Sequence, residues 1–339
     1  MLEIFNLQKE LVKNASTSGY EGKIGRVIAA IAKPLCDDMR VDVLGNLICH
    51  IKGKSKGKRI MCAAHMDAIG FMARYIDENG FIYVNPIGGH YAYELINTRV
   101  RFEKVIGIFR LCKAAENAGK TGKEITFNDI YVDIGACSKT AAEQLVSIGD
   151  TALFEGETVM LGKNRIMTPY ADDLSGCAML LKAMEMCKKP PNDLYFVFTV
   201  QEELGCRGAK TAAFGIEPHI AIAVDVCPAG DCPAENDRHN NIVLGKGPTI
   251  KIMDSSVFSS VGLNRLLKSV ATAMNMETQW EILTGGGTDT SEMLLTRDGV
   301  PATCISIPTR NLHMPVEIFD IRDVENGAKL LAATLRSNF

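Results

Sequence analysis

Several apolar stretches of this 339-residue chain end in side chains that bind metals or move protons. The run at residues 59–64 leads into His65-Met66-Asp67. On a strand, residues two apart point the same way, so His65 is placed to bind a cation while Asp67 orients its ring. Asp172-Asp173 stands where a helix over 175–186 should begin. Either residue would cap that helix, and Asp172, with two oxygens, could also bridge two cations. Gln201-Glu202-Glu203 follows the apolar run from Leu194. Adjacent carboxylates leaving a buried strand repel each other and are costly to desolvate, and a nearby cation removes that cost. Asp225 ends the run Ile220-Ala221-Ile222-Ala223-Val224, where an acid needs a partner. His313 closes Ile307-Pro308-Thr309-Arg310-Asn311-Leu312.

Taken singly, each of these has a plain reading as a surface pair, a cap or a solvated loop. Together they supply two histidines and a set of carboxylates. Mixed nitrogen and oxygen ligands suit Zn²⁺ or Co²⁺, with Mn²⁺ as a third option, better than Mg²⁺ or a thiolate-loving site. Two such cations about 3.5–4 Å apart form a hydrolytic device. Glu202 is then left spare, free to act as a base.

The elements that must position these groups are legible from periodicity. Helical spacing runs over residues 2–14 and 24–31. Residues 41–51 alternate around Gly45-Asn46 and predict a hairpin. The Lys/Gly run at 52–59 predicts a solvated loop. From 69 to 161 the texture changes to short alternating segments, many glycines and a helix near 141–146, which predicts an inserted β-rich domain. Strands at 194–201, 220–224 and 302–307 then alternate with helices at 175–186, 262–274 and 324–335. The fold class expected is α/β, a three-layer sandwich with a mostly parallel central sheet. Residues 1–68 and 162–339 would form one domain and 69–161 the insertion. In such sheets ligands sit at the carboxyl ends of the strands.

Composition narrows the partners. With 47% hydrophobic residues and a net charge of −3, the chain can bury a large core and offers no basic surface for nucleic acid or an acidic membrane. Eleven cysteines without a C-x-x-C pair read as free thiols of a reducing compartment. The N-terminal residues lack a basic start and apolar core, so no signal peptide is expected. No uncharged apolar run approaches the roughly 18 residues of a spanning helix. The expected location is the cytoplasm.

An ordered series of motifs then carries a resemblance over nearly the whole chain. It runs through Ser18-Gly19-Tyr20-Glu21, Gly45-Asn46-Leu47, His65-Met66-Asp67-Ala68-Ile69-Gly70, Asp172-Asp173 with Gly176, and Gln201-Glu202-Glu203 with Gly205 and Gly208-Ala209. It continues through Asp225, Gly245-Lys246-Gly247-Pro248, Gly287-Thr288-Asp289, and Pro308-Thr309-Arg310 with His313. The chain resembles the glutamyl/deblocking aminopeptidases that include the tetrahedral aminopeptidases of archaea.

The resemblance implies removal of N-terminal residues from peptides with two divalent metal ions per subunit. His65, Asp172 and Asp225 would hold one ion and Asp172, Glu203 and His313 the other. Asp67 would support His65, Glu202 would be the general base, and Gly287, Thr288 and Asp289 would meet substrate. The insertion would be a dimerisation domain, with dimers or tetrahedral dodecamers as the assembly. The chain departs from the family at Leu174, where Arg is common, at Asn311 in place of Tyr, and at Met314 in place of Ser. Two other readings remain open. Another dinuclear amidohydrolase, a carboxypeptidase or deacylase, differs in its use of N-blocked substrates. A retired binding or scaffold homologue would fail metal analysis and an aminopeptidase assay.

Overall fold

The computed structural model describes residues 2–54, 57–233 and 241–337. Ser55 and Lys56 of the expected solvated loop lie outside them. Seventeen strands are present among the described residues. They are Asp38–Val41 (β1), Leu47–Ile51 (β2), Arg59–His65 (β3), Gly70–Ile76 (β4), Ile82–Ile87 (β5), Arg99–Arg101 (β6), Ile106–Leu111 (β7), Ile130–Asp133 (β8) and Thr151–Phe154 (β9). The remainder are Val159–Leu161 (β10), Arg165–Thr168 (β11), Asp193–Thr199 (β12), Ile220–Pro228 (β13), Thr249–Met253 (β14), Gln279–Ile282 (β15), Ala302–Arg310 (β16) and Glu317–Asp320 (β17).

Eleven strands form one mixed sheet in the order β1-β2-β12-β3-β13-β16-β17-β11-β10, with β14 paired to β16 and β15 to β14. The expectation of a mostly parallel sheet is corrected here. Only β12, β3, β13 and β16 run parallel in its centre, and β14 runs parallel to β15. The flanks are antiparallel. The reason is connectivity: parallel neighbours need a helical crossover, whereas short turns such as the one through Gly45-Asn46 join antiparallel pairs.

The central strands are apolar on both faces because both faces are covered. Ile60, Cys62 and Ala64 of β3 join the larger core, with Phe196, Phe198, Ile222 and the Ala171–Met186 and Ile321–Thr334 helices. Met61 and Ala63 point the other way, toward Ala209, Ala212 and Ala213 of the Arg207–Ile216 helix. The strands β4-β5-β8-β7-β6-β9 close into a barrel filled by side chains including Phe71, Phe109 and Phe154. The helix expected at 141–146 sits slightly earlier, at Lys139–Glu143, and short helices at Ala92–Leu95 and Lys113–Asn117 join it in the same segment. No helix of the described residues is long and apolar enough to cross a membrane.

One irregularity opens the sheet where the chemistry lies. β13 pairs with β3 only as far as Ala223 opposite Ala63, yet it continues beside β16 to Pro228 opposite Thr309. Beyond that point β3 and β13 part, which leaves a crevice at the carboxyl ends of the parallel strands. Asp225 therefore lies within a strand rather than at its end, held in line by Ser306 of β16.

The turn after β12 is fixed from beneath. Asn46 Oδ1 accepts from Val200 N at 3.1 Å, and Asn46 Nδ2 donates to Gly208 O at 3.0 Å. A Cβ on Gly208 would lie 2.3 Å from Asn46 Oδ1 and 2.4 Å from Val200 O. Backbone cannot yield as a side chain can, so Gly208→Ala should destabilise the protein by about 1–3 kcal/mol. It should also lower turnover through the displaced 201–203 turn. A urea midpoint equal to that of the parent would show that the packing at Gly208 is not tight.

Candidate metal centre

All the side chains singled out as ligands meet at the crevice. His65 ends β3, Glu202 and Glu203 follow β12, Asp225 lies on β13, and His313 follows β16. Asp172 enters from the start of the Ala171–Met186 helix, where Asp172 and Asp173 have non-helical backbone and are joined by a cis peptide bond.

Asp172 stands between the histidines. Its Oδ1 lies 3.0 Å from His65 Nε2 and its Oδ2 3.3 Å from His313 Nε2. Glu203 Oε1 is 3.6 Å from His313 Nε2, and Glu202 Oε2 is 4.0 Å from His65 Nε2. Potential ligand atoms of Asp172, Glu203 and His313 all lie within 4.8 Å of one another, as do those of His65, Asp173 and Asp225.

Both imidazoles are turned the same way by backbone oxygens. His65 Nδ1 donates to Asp67 O at 3.0 Å and His313 Nδ1 to Gly89 O at 2.8 Å. Each Nε2 is thereby turned toward the Asp172 carboxylate, the nitrogen that would be free to ligate a cation bound there. Gly89 follows β5, so the barrel supplies one of the two anchors.

Asp67 supports His65 through its backbone oxygen, and its carboxylate has a second task. Strand alternation stops at His65, and the Asp67 carboxylate lies 3.7 Å from His65 Nδ1. The carboxylate also accepts from Ser18 Oγ at 2.6 Å and from the backbone N–H of Glu202 and Glu203 at 3.0 and 3.3 Å. It thus holds the turn that aims both glutamates. Asp173, completely buried, accepts from His65 N at 3.2 Å and caps the helix through Gly176 N at 3.1 Å.

Glu317 was not anticipated from sequence. It is 1% exposed, and its two oxygens accept from Asp172 N at 3.0 Å and His313 N at 2.8 Å. It couples the bridging carboxylate to the distant histidine. Nothing in Val316-Glu317-Ile318 distinguishes it from an ordinary strand acid, because its partners are backbone groups 145 and 4 residues away.

The electrostatics call for positive charge. Burial pushes the carboxyl groups of Glu202 and Glu203 up to about 8, and it drives Asp173 and Asp225 well up, with neighbouring carboxylates adding to it. Burial alone would lower His313, yet its contact with Asp172 and the Glu203 charge bring it up to about 10. Asp172 is held low against its burial by the same histidines. Glu203 Oε1 is buried without a hydrogen-bond partner among the described residues. Two imidazoles among so many buried carboxylates, with an orphaned oxygen, fit a site for divalent cations.

A cavity of about 990 Å³ opens on the cluster, lined among others by His90, Tyr91, Lys251, Leu283, Gly287 and Thr288. Of the expected substrate-contacting residues, Gly287 and Thr288 line it. Asp289 does not: it is 2% exposed and accepts from Thr199 Oγ1. Leu174 is fully buried in the larger core, and Asn311 Nδ2 donates to Val316 O.

Residues 45–330 match the family model described as M42 glutamyl aminopeptidase. The chain belongs to this family. It is a hydrolase of the metallo-aminopeptidase class. It is 42% identical to a putative aminopeptidase of Acetivibrio thermocellus over 98% of both chains. It is 36% identical to a lysyl aminopeptidase of Pyrococcus furiosus over 98% of this chain and 96% of that one. Among solved structures, an aminopeptidase of the archaeon Desulfurococcus kamchatkensis superposes with a TM-score of 0.94 at 36% identity, covering 98% of this chain and 94% of the other. The TET1 peptidase of Pyrococcus horikoshii, described as assembling into a tetrahedron or a large octahedral shell, superposes with a TM-score of 0.88 at 31% identity, covering 99% and 100%. The mixed α/β fold of this M42 member is that of the TET aminopeptidases.

Because Asp67 sets the glutamate turn, Asp67→Asn should replace one acceptor by a donor that faces one of the two glutamate N–H groups. Turnover should fall about ten- to a hundredfold, as expected when a reacting group shifts by a fraction of an ångström. Metal content should stay at the wild-type level. An unchanged kcat would remove Asp67 from the positioning of Glu202.

Proposed function

We propose that this chain hydrolyses N-terminal residues from peptides with two bridged divalent cations per subunit, zinc or cobalt, with manganese also compatible with the ligands. The observation that carries this reading is the Asp172 carboxylate, with one oxygen toward each histidine Nε2. His65, Asp172 and Asp225 would hold one cation, and Asp172, Glu203 and His313 the other. When bound, the pair polarises the scissile carbonyl and acidifies the attacking water.

The protein's own groups do the rest. Glu202 takes the proton of the attacking water and passes it to the leaving amine. Its proton affinity is raised by burial, with Glu203 and Asp289 adding to it. Asp67 and Glu317 keep the glutamates, Asp172 and His313 in place through backbone hydrogen bonds. Gly287 and Thr288 form one wall for the substrate, and Asp289 acts from behind that wall. The free α-amine of the substrate would lie against the carboxylates, which accounts for action at a terminus.

The barrel of β4 to β9 is the segment to which we assign dimerisation, within the bounds 69–161, and the assembly would be a dimer or a dodecamer. Eleven unpaired thiols support a reducing, cytoplasmic setting.

Glu202→Gln should keep two metal ions per chain by elemental analysis and lose about 10²–10⁴-fold in turnover. A variant that hydrolyses aminoacyl anilides at the parent rate would sink the role given to Glu202. Exhaustive chelation should abolish activity, and readdition of zinc or cobalt should restore it. The enzyme should cleave free-amine substrates and spare the same substrates with an acetylated amine. The opposite preference would favour the deacylase reading.

A further inference from the structure

Behind Glu202 lies a second set of ligand-type atoms, separate from the bridged cluster. Gly205 and Cys206 take positive φ of 109° and 53°, and the chain turns back on itself there. Cys206 N donates to Glu202 O at 2.8 Å, and Cys206 Sγ donates to Glu202 Oε1 at 3.1 Å. Glu202 therefore has two faces: Oε2 looks toward His65 and Oε1 toward the thiol. The third member is Asp289. One atom each from Glu202, Cys206 and Asp289 lie within 4.8 Å of one another. Asp289 is 2% exposed; its Oδ2 accepts from Thr199 Oγ1, while its Oδ1 is buried without a hydrogen-bond partner among the described residues. Cys206 lines the substrate cavity, so the set is reached from solvent through the active site.

We propose that Cys206, Glu202 and Asp289 form a third cation site, selective for a borderline-soft divalent ion such as Zn²⁺, Co²⁺ or Cd²⁺, whose occupancy switches the enzyme off. One sulfur and two carboxylate oxygens exclude Mg²⁺ and Ca²⁺ as competitive occupants. Tetrahedral coordination with Zn–S near 2.3 Å and Zn–O near 2.1 Å requires ligand atoms about 3.5 Å apart. The Cys206–Glu202 pair is at 3.1 Å, and the Asp289 ligand atom lies within 4.8 Å of both, so small side-chain adjustments reach that spacing. On binding, the Cys206 S–H bond breaks, its proton leaves to solvent, and the sulfur–metal bond replaces the hydrogen bond to Glu202. No electrons are transferred. The ion would complete its shell with water from the cavity.

The consequence for catalysis rests on the proposed role of Glu202 as base. A cation on Oε1 draws electron density from the carboxylate and removes its capacity to take a proton. Excess metal would then inhibit the same enzyme that lower metal activates. The site itself does not rest on that role, and the two can be tested separately.

Sulfur distinguishes this site from the bridged pair, which has no thiol ligand. The holoenzyme saturated with Co²⁺ should gain a sulfur-to-cobalt charge-transfer band in the near ultraviolet as further Co²⁺ is added, and activity should fall in step. Cys206→Ser should show no such band, and its activity, measured against its own maximum, should tolerate about tenfold more cobalt or better. Asp289→Asn should shift the wild-type band to at least about tenfold higher cobalt. No band in the wild type, or a band that persists in Cys206→Ser, overturns the site. So does inhibition of Cys206→Ser at the wild-type concentration. A Cys206-dependent band without loss of activity upholds the site and overturns Glu202 as the base.

Discussion

Carboxylates cannot be crowded into a buried crevice without compensating positive charge, and the rest of this structure is organised around that constraint. Asp67, Asp172, Asp173, Asp225, Asp289 and Glu317 are each at most 9% exposed, and Glu202 and Glu203 are nearly so. They share two imidazoles. The cost of desolvating such a set is far beyond what surface pairing could offset. Backbone N–H groups satisfy part of it, since Asp67, Asp173 and Glu317 accept from peptide groups of the site. The carboxylates left over, Asp172, Glu203 and Asp225 with Glu202 beside them, face the crevice where cations would complete the balance.

This division of labour explains the architecture. Parallel strands deliver their carboxyl ends to one edge of the sheet, and the early parting of β3 from β13 opens room there. The antiparallel flank contributes Asp172 just after β11, and Glu317 of β17 clamps two backbone amides of the site. The barrel contributes a carbonyl, Gly89 O, that orients the His313 ring, so the two sheets meet at the chemistry rather than merely beside it.

The glutamate pair shows how one turn serves several ends. Asn46 fixes its start, Asp67 its amides, and Cys206 the outer oxygen of Glu202. A side chain so constrained is preorganised for proton transfer. The same constraint places a thiol and a buried carboxylate where a surplus cation could bind.

Much of this was legible in the linear chain. The apolar runs before His65, Glu202 and Asp225 marked buried strands ending in polar groups, because few other residues tolerate a core with such termini. The hairpin at Gly45-Asn46 and the helices near 4–13 and 22–32 were readable from local periodicity alone. What the sequence by itself determined was therefore which residue types sit at strand ends and that they could bind metal. Only the tertiary structure decided that Asp67 grips the glutamate turn as well as the His65 ring, that Asp225 sits within its strand, that the sheet is mixed, and that Glu317 and Gly89 anchor the site. The physical reason is range. Periodicity and propensity report on neighbours a few residues apart, whereas these contacts join groups separated by up to 224 residues, and their geometry exists only once the sheet has assembled.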